Sequence, residues 1–211
     1  MQEPSAKENI LKKIRRALGK PVPVPFAQNE GSENIFVPPQ KEIEIEFAKN
    51  FTDLLGKFSF CLHQKELAAQ LYELIEIRKW KNIYCLEDVL KKNLNANGFT
   101  INYTTSLAGC DAAITGCELL IARTGSILLS SAQQSGRTTS VYAPVHICIA
   151  YANQIVYDIK DGLLFMKEKY GNRLPSLITF ATGPSRTADI EKTLVTGVHG
   201  PKEVFCFMVE V

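Results

Sequence analysis

The chain has 211 residues, of which 45% are hydrophobic and 22% are charged. This usage is ordinary for a globular protein, so we expect one domain with an N-terminal appendage and no wholesale disorder. With 24 Lys and Arg against 22 Asp and Glu, the net charge of +2 is too small to indicate a nucleic-acid-binding protein. No apolar run approaches the roughly 20 residues that span a bilayer and no signal-peptide core is present, so we expect a cytoplasmic protein without a membrane span.

The cysteines of the chain are scattered. There are six: Cys61, Cys85, Cys110, Cys117, Cys148 and Cys206. Because no Cys-x-x-Cys pair occurs and no His stands at zinc-finger spacing, neither a metal site nor an iron-sulfur cluster is predicted in this chain. We expect reduced, mostly buried thiols, and we single out Cys110 and Cys117 because they flank a predicted loop.

The first forty residues differ from the rest. Ser5 and Glu8 form a capping box, and the apolar spacing that follows predicts an amphipathic helix ending at Gly19. The other face of this helix is basic, and we interpret it as solvated. Three prolines then alternate with apolar residues at positions 21–26, which favours an extended strap. We therefore assign residues 1–40 to an N-terminal helix with a proline-rich strap and residues 41–211 to the main domain.

Strands and helices alternate from residue 43 onward. A helix is predicted over residues 43–55, although residues 43–47 alone have the pattern of a strand. The elements predicted next are a strand at 58–62, a helix at 64–79, a strand at 83–86, a helix at 87–94 and a strand at 100–103. This rhythm is typical of a parallel sheet covered by helices.

The second half of the chain contains short apolar runs separated by Gly and Pro. Strands are predicted at 112–115, 119–122, 127–130, 146–151, 177–181 and 204–209, with a helix at 161–170. Residues 123–126 connect two of these strands with Gly125 at the turn, which predicts an antiparallel hairpin. The predicted fold is α/β: a three-layer αβα arrangement around a mixed, mostly parallel sheet, plus the N-terminal helical appendage.

The first candidate segment is residues 179–191, a strand that runs into a Gly-Pro turn and then into a predicted helix start. In open α/β sheets, ligands bind beyond the carboxyl ends of strands, where a helix N-terminus favours carboxylate or phosphate. Arg186 would add a bidentate fork for a carboxylate. The alternative is that Ser185 or Thr187 only caps the helix and Asp189 only complements its dipole.

Two further segments carry polar groups on irregular backbone. His199 lies in a loop bounded by Gly and Pro, where an imidazole can transfer a proton, contact a ligand or simply brace the loop. The turn Thr124, Gly125 and Ser126 offers hydroxyl and N–H groups to an anion. His146 lies in an apolar strand and is interpreted as a core histidine. No P-loop, serine elbow or zinc-protease motif occurs, so none of those reactions is predicted.

In this order and at this spacing, the segments resemble the LUD-domain family. The matching stretches are IARTGS at 121–126, PVHI at 144–147, NQIV at 153–156, GPSRTADIE at 183–191 and GVHGP at 197–201. The resemblance is strong over residues 111–211 and extends only to the general layout before them. It implies a Rossmann-like fold related to the sugar-phosphate isomerases and coenzyme A transferases.

The resemblance also implies a function. It identifies the chain as the cluster-free member of a three-protein bacterial system that oxidises lactate to pyruvate. In that case the chain binds no cofactor of its own, and its partners are the iron-sulfur lactate-utilisation proteins and a small carboxylate or phosphate. The alternative is a stand-alone enzyme, isomerase-like or transferase-like, that acts on a small carboxylate or phosphate.

The site that we expect from the resemblance combines the three segments. The candidate catalytic residues are Asp189, His199 and Arg186. The candidate ligand-binding residues are Thr124, Gly125, Ser126, Gly183, Ser185 and Thr187. We expect them to share one pocket at the carboxyl edge of the sheet. Position 123 is Arg where many relatives are expected to have an acidic residue, so no general base is expected there.

The N-terminal segment should contribute little to the main core, because its prolines bar regular pairing with a central strand. Deleting residues 1–25 should therefore leave the thermal unfolding midpoint of the remaining chain nearly unchanged, as followed by circular dichroism. A collapse of the midpoint on this deletion would contradict the assignment.

Overall fold

The structure is a computed structural model that describes residues 6–19, 39, 42–187 and 195–210. The chain divides into two compact units, Met1–Pro38 and Pro39–Val211. The described part of the first unit is helix α1 (Ala6–Leu18), which agrees with the amphipathic helix predicted there. None of the helices in the described residues is long and apolar enough to cross a membrane.

The second unit has α/β architecture. Its described helices are α2 (Ile43–Asp53), α3 (Gln64–Arg78), α4 (Asp88–Ala96), α5 (Thr139–Tyr142) and α6 (Ile159–Tyr170). Its first six described strands are β1 (Lys57–Cys61), β2 (Ile83–Tyr84), β3 (Tyr103–Thr104), β4 (Ala112–Thr115), β5 (Leu119–Ile121) and β6 (Ser126–Ser130). The next six are β7 (Val145–Tyr151), β8 (Ile155–Val156), β9 (Ile178–Ala181), β10 (Arg186–Thr187), β11 (Val195–Thr196) and β12 (Glu203–Val209).

A six-stranded sheet in the order β1-β12-β7-β4-β2-β3 forms the centre of the domain, and all of its pairs are parallel. Alternate residues of each strand point to opposite faces. Ile147 and Phe207 pack with α3 and α4 on one face. Cys148 and Cys206 pack with α2 on the other. Both faces are therefore buried, which explains the nearly continuous apolar run of β7.

A second, four-stranded sheet in the order β8-β5-β6-β9 packs on the α2 side of the parallel sheet. Its β5–β8 pair is parallel, whereas β5–β6 and β6–β9 are antiparallel. Met166 of α6 packs against Leu119 and Leu128, so α6 covers this sheet on the side away from the parallel one. The predicted α/β class, the mostly parallel pairing and the helices on both sides are confirmed. The structure adds that the strands are divided between two sheets.

The described start of residues 185–191 differs from a helix that begins after Ser185. Arg186 and Thr187 are extended and pair antiparallel with Thr196 and Val195, and the helix residues predicted beyond Thr187 lie outside the described residues. The polar residues after the Gly-Pro turn suit a helix cap equally well, and only the tertiary pairing with β11 decides between the two. Helix α5 and strands β8, β10 and β11 were not predicted, because elements of two to four residues are too short to show a hydrophobic period.

The hairpin turn before β6 is packed tightly against α2. Gly125 has a φ of 58°, and a Cβ at this position would lie 2.5 Å from the backbone nitrogen of Phe51. Asn50 fastens the same contact, because its side-chain amide donates hydrogen bonds to the carbonyls of Ala122 at 2.9 Å and Arg123 at 3.1 Å. A glycine is thus required at position 125 both for its conformation and for the space.

Gly125→Ala should lower the free energy of unfolding by about 3 kcal/mol, since a left-handed conformation costs roughly 1–2 kcal/mol with a side chain and overpacking costs roughly 1–3 kcal/mol. Gly136→Ala is the matched control. Gly136 also has a positive φ of 67°, but a Cβ there meets nothing within 4 Å. Urea denaturation should show a clearly smaller decrease in the free energy of unfolding for Gly136→Ala than for Gly125→Ala. Equal decreases would contradict the close contact of Gly125 with α2.

Candidate functional site

The three candidate segments lie next to one another. The Ser126 hydroxyl is 2.7 Å from the hydroxyl of Thr182, which directly precedes Gly183. The Ser185 N–H donates to the Pro201 carbonyl at 2.9 Å, and the Gly197 N–H donates to the Ser185 carbonyl at 2.9 Å. The expected proximity of the segments is therefore confirmed for the described residues.

Their expected position at the carboxyl edge of the sheet is wrong for the parallel sheet. The loop at residues 197–201 precedes β12, and Pro144 precedes β7. Lys202 N–H donates to the Pro144 carbonyl at 2.8 Å, which joins these two lead-in segments. They lie at the amino ends of parallel strands. The segment after β9 reaches the same place because β9 belongs to the second sheet, a membership that the sequence pattern does not reveal.

The turn at Thr124, Gly125 and Ser126 is engaged in internal packing. Ser126 is only 2% exposed, and its hydroxyl lies 2.8 Å from that of Thr124 and 2.7 Å from that of Thr182. The backbone of Gly125 abuts α2, as described above. These contacts satisfy the hydroxyl groups within the protein and favour a bracing role, and ligand binding by the turn stays a prediction.

The Gly-Pro turn after β9 connects α2 with the loop of His199. Gly183 has a φ of 77° and lies against the carbonyl of Leu54. Ser185 packs so closely on Gly200 that a Cβ on the glycine would lie 2.9 Å from the serine Cβ. Arg186 is exposed in β10. Thr187 is described only through its backbone, and Asp189 lies outside the described residues.

A cleft of about 440 Å³ opens beside the His199 loop. The described residues that line it are Val141, Tyr142, Pro144, Gly197, Val198, His199, Gly200 and Lys202. It combines an imidazole, an ammonium group and a phenol with apolar walls, a set that suits a small carboxylate. Of the residues predicted from sequence that the structure describes, only His199 lines this cleft.

Lys202 and Tyr142 were not identified from the sequence. Lys202 directly follows the GVHGP stretch and Tyr142 lies two residues before the PVHI stretch, so both were close to recognised motifs. What the sequence lacked was the pairing of β7 with β12, which brings the two lead-in segments together.

Arg123 is held by an ion pair. Its Nε lies 2.5 Å from a carboxylate oxygen of Asp158, the residue that caps the N-terminus of α6. Burial raises the pKa of Asp158, but hydrogen bonds from the Lys160 backbone and from Arg123 outweigh it and hold the pKa below its usual range. Arginine at this position thus stabilises the junction between β5 and α6.

Glu118 is a buried carboxylate with a complete set of partners. It is 3% exposed and accepts hydrogen bonds from Ser130 at 2.5 Å, Lys169 at 2.7 Å and Tyr170 at 2.8 Å. Burial raises the pKa of Glu118, but these three donors outweigh it and lower the pKa overall. The group therefore remains ionised and links the start of β5 to the end of α6.

The cysteines are free thiols, and all six are buried. Burial raises the pKa of Cys61 to about 11 and that of Cys85 to about 12. Cys110 and Cys117 belong to different core clusters. In the part of the chain that the structure describes, no group of three or more His, Cys, Asp or Glu residues is arranged to hold a metal ion.

His146 is fully buried in β7, as its apolar neighbours predicted. Its Nε2 lies 2.8 Å from the Thr115 hydroxyl, which itself donates to the Gly116 carbonyl, so Nε2 is the protonated nitrogen. No described residue forms a hydrogen bond with Nδ1. A proton on Nδ1 would therefore place an unpaired charge in the core, and burial lowers the pKa of His146 to about 4.

This burial predicts an acid-sensitive core. The folded state keeps His146 neutral below pH 6.5, where the unfolded chain takes up a proton, so stability is lost as the pH falls from 6.5 toward 4. Between pH 7 and pH 5 the free energy of unfolding should fall by about 2 kcal/mol, because each pH unit below the unfolded-state pKa and above the folded-state pKa lowers it by about 1.36 kcal/mol. Urea denaturation at both pH values checks this. His146→Gln, which does not titrate, should show a pH-dependent loss smaller by about that amount, and an unchanged loss would contradict the assignment.

The sequence is similar to a known domain family and to proteins that belong to it. The LUD domain model matches residues 46–209. Lactate utilization protein C from Shouchella clausii is 26% identical over 227 residues, covering 96% of this chain and 96% of that protein. The proteins of the same name from Bacillus licheniformis and Bacillus subtilis are 36% and 34% identical, over 46% and 47% of this chain. In these two alignments the chain spans only 41% and 42% of the length of its relatives.

A solved structure shares the fold. The crystal structure of a DUF162 family protein from Deinococcus radiodurans superimposes with a TM-score of 0.59, covering 81% of this chain and 99% of that chain at 20% identity. At this identity the likeness shows the fold alone. The family model, in contrast, matches most of the sequence, from α2 to the last residue of β12. The chain belongs to the LUD-domain family.

Proposed function

We propose that this protein acts in lactate utilisation, as a cluster-free component that binds iron-sulfur partner proteins and a small carboxylate. The observation that carries the proposal is the similarity to Shouchella clausii lactate utilization protein C over 96% of both chains. The oxidation of lactate to pyruvate releases two electrons, which a redox centre must accept. The chain's own thiols are buried and at least two have raised pKa values, which disfavours the thiolates that ligate a cluster. We therefore assign the clusters to the partners.

The cleft beside His199 is the proposed carboxylate site. Lys202 supplies a positive charge, while Tyr142 and His199 supply hydrogen-bonding groups. Val141 and Val198 offer an apolar wall to the methyl group of a three-carbon acid. The backbone hydrogen bond from the Lys202 N–H to the Pro144 carbonyl fixes the two segments that carry these side chains relative to each other.

The alternative of a stand-alone isomerase-like or transferase-like enzyme has less support. Such chemistry on a small carboxylate requires a general base, and among the described residues that line the cleft the candidate base is the imidazole of His199, with no carboxylate beside it to orient it. Asp189, the acidic candidate, lies outside the described residues. Among the described candidates, His199 is the titratable group in the cleft, and one imidazole suits ligand binding at least as well as catalysis.

Isolation of the complex tests the proposed partners. The tagged full chain, purified without oxygen from a host grown on lactate, should carry iron-sulfur proteins that show as cluster absorbance and as chemically determined iron. If the tagged chain supports growth of the host on lactate but is purified free of iron, the proposed association is contradicted.

Arg186→Lys should weaken growth on lactate in a strain lacking the gene, because lysine keeps the charge but loses the planar fork. His199→Ala should weaken it by removing a group from the cleft. Both side chains are exposed, so their stability should change by no more than about 0.5 kcal/mol. Arg173→Lys, which makes the same exchange at an exposed position after α6, is the matched control and should complement fully.

Thermal denaturation of each purified variant accompanies the growth assay. Full complementation by His199→Ala would remove His199 from the proposed carboxylate site, and full complementation by Arg186→Lys would show that growth on lactate does not depend on the planar fork of Arg186. A large loss of melting temperature in either variant would assign that residue to loop architecture instead.

A further inference from the structure

Strand β1 lies at an open edge of the parallel sheet. It pairs with β12 on one side, and no other described strand pairs with the N–H and C=O groups on its outer side. Natural proteins protect such edges with proline or with a charged side chain. β1 contains no proline, and its one charged residue, Lys57, is ion-paired with Glu203 of its own sheet. The opposite edge strand, β3, has only two residues.

Large apolar side chains surround this edge. Phe60 of β1 is 42% exposed and Leu62, which follows it, is 63% exposed. Ile45 of α2 and Ile77 of α3 flank the strand on its two faces and are 52% and 69% exposed. A groove runs along each face, one between β1 and α2 and one between β1 and α3. This combination of an unpaired backbone edge with apolar flanks is typical of an interaction surface.

The sequence of β1 is complementary to itself. In the strand KFSFC, an antiparallel pairing centred on Ser59 places Phe58 opposite Phe60 of the partner subunit, and Phe60 opposite the partner's Phe58. Both phenylalanines line the groove on the α2 face, so the two aromatic pairs form on one side of the joined sheet. Directly opposed aromatic residues are among the pairs that stabilise antiparallel strands.

The charges favour the same antiparallel arrangement. Lys57 and Arg78 share the single carboxylate of Glu203 at the amino end of β1, which leaves an excess of positive charge. The groove that reaches the carboxyl end is lined by Glu42, Glu44 and Glu210 and by no basic residue among those described. An antiparallel pair brings the basic end of each copy beside the acidic end of the other.

We propose that β1 is a dimer interface, at which the chain pairs with a second copy across a two-fold axis at Ser59 and joins the two parallel sheets into one. Such a contact is closed and uses the same surface on both copies. It leaves the cleft beside His199 outside the interface strand and is independent of the proposed function in lactate utilisation.

Sedimentation velocity of the full chain over a range of concentrations tests the proposal. The wild type should sediment as a dimer and Phe60→Lys as a monomer, because the introduced lysine removes one phenylalanine from each Phe58–Phe60 pair and places the two new ammonium groups diagonally across the paired strands on the same face. Leu164→Lys is the matched control: Leu164 on α6 is 48% exposed, so the same change there should leave the dimer intact. If Phe60→Lys does not fold, as judged by circular dichroism, Leu62→Lys replaces it at a more exposed position.

Hydrogen–deuterium exchange locates the interface. The amides of residues 57–61 should exchange more slowly in the wild-type dimer than in Phe60→Lys, while those of α6 should not differ. A wild type that is monomeric at every concentration, or a dimer that persists in Phe60→Lys, would overturn the proposal. So would a monomer whose β1 amides are protected only when a different protein is bound.

Discussion

The close approach of α2 to two glycine turns fixes the geometry on which the rest of the domain depends. Gly125 lies against the backbone of Phe51, and Gly183 lies against the carbonyl of Leu54, so both turns of the second sheet rest on the C-terminal end of α2. Phe47 and Phe51 of the same helix fill the core between the two sheets. The second sheet is therefore positioned by backbone contacts that leave no room for a side chain.

This packing carries over into the candidate site. The turn after Gly183 bonds through Ser185 to the loop at residues 197–201, and that loop bonds through Lys202 to the segment before β7. The loops around His199 thus meet at the amino ends of β7 and β12. Ligands of open α/β sheets usually bind at the other edge. A smaller sheet stacked beside the parallel one makes the departure possible, because its connecting loops reach this edge from outside.

Much of the fold could be predicted from local patterns. A few neighbouring residues are enough to predict the apolar run of β7, the helical period of α3 and the glycine of the β5–β6 turn. The site was less predictable, because it depends on which strands share a sheet. The sequence around Arg186 and Thr187 is compatible with a helix start, and only the pairing with β11 shows that both residues are extended. The position of Lys202 in the cleft depends on its hydrogen bond to the segment before β7, which is distant in sequence.

The cleft beside His199 is the proposed binding site for a small carboxylate. The chain has three histidines, one in the cleft, one fully buried and one capping α3, so the ring carbon signals of a histidine-labelled sample report on three separate places. Titration with lactate or pyruvate, followed by carbon–proton correlation spectra, should shift the His199 signal in a saturable manner and leave those of His146 and His63 in place. A His199 signal that does not shift at high lactate or pyruvate concentration, or equal shifts of all three histidine signals, would contradict carboxylate binding in the cleft.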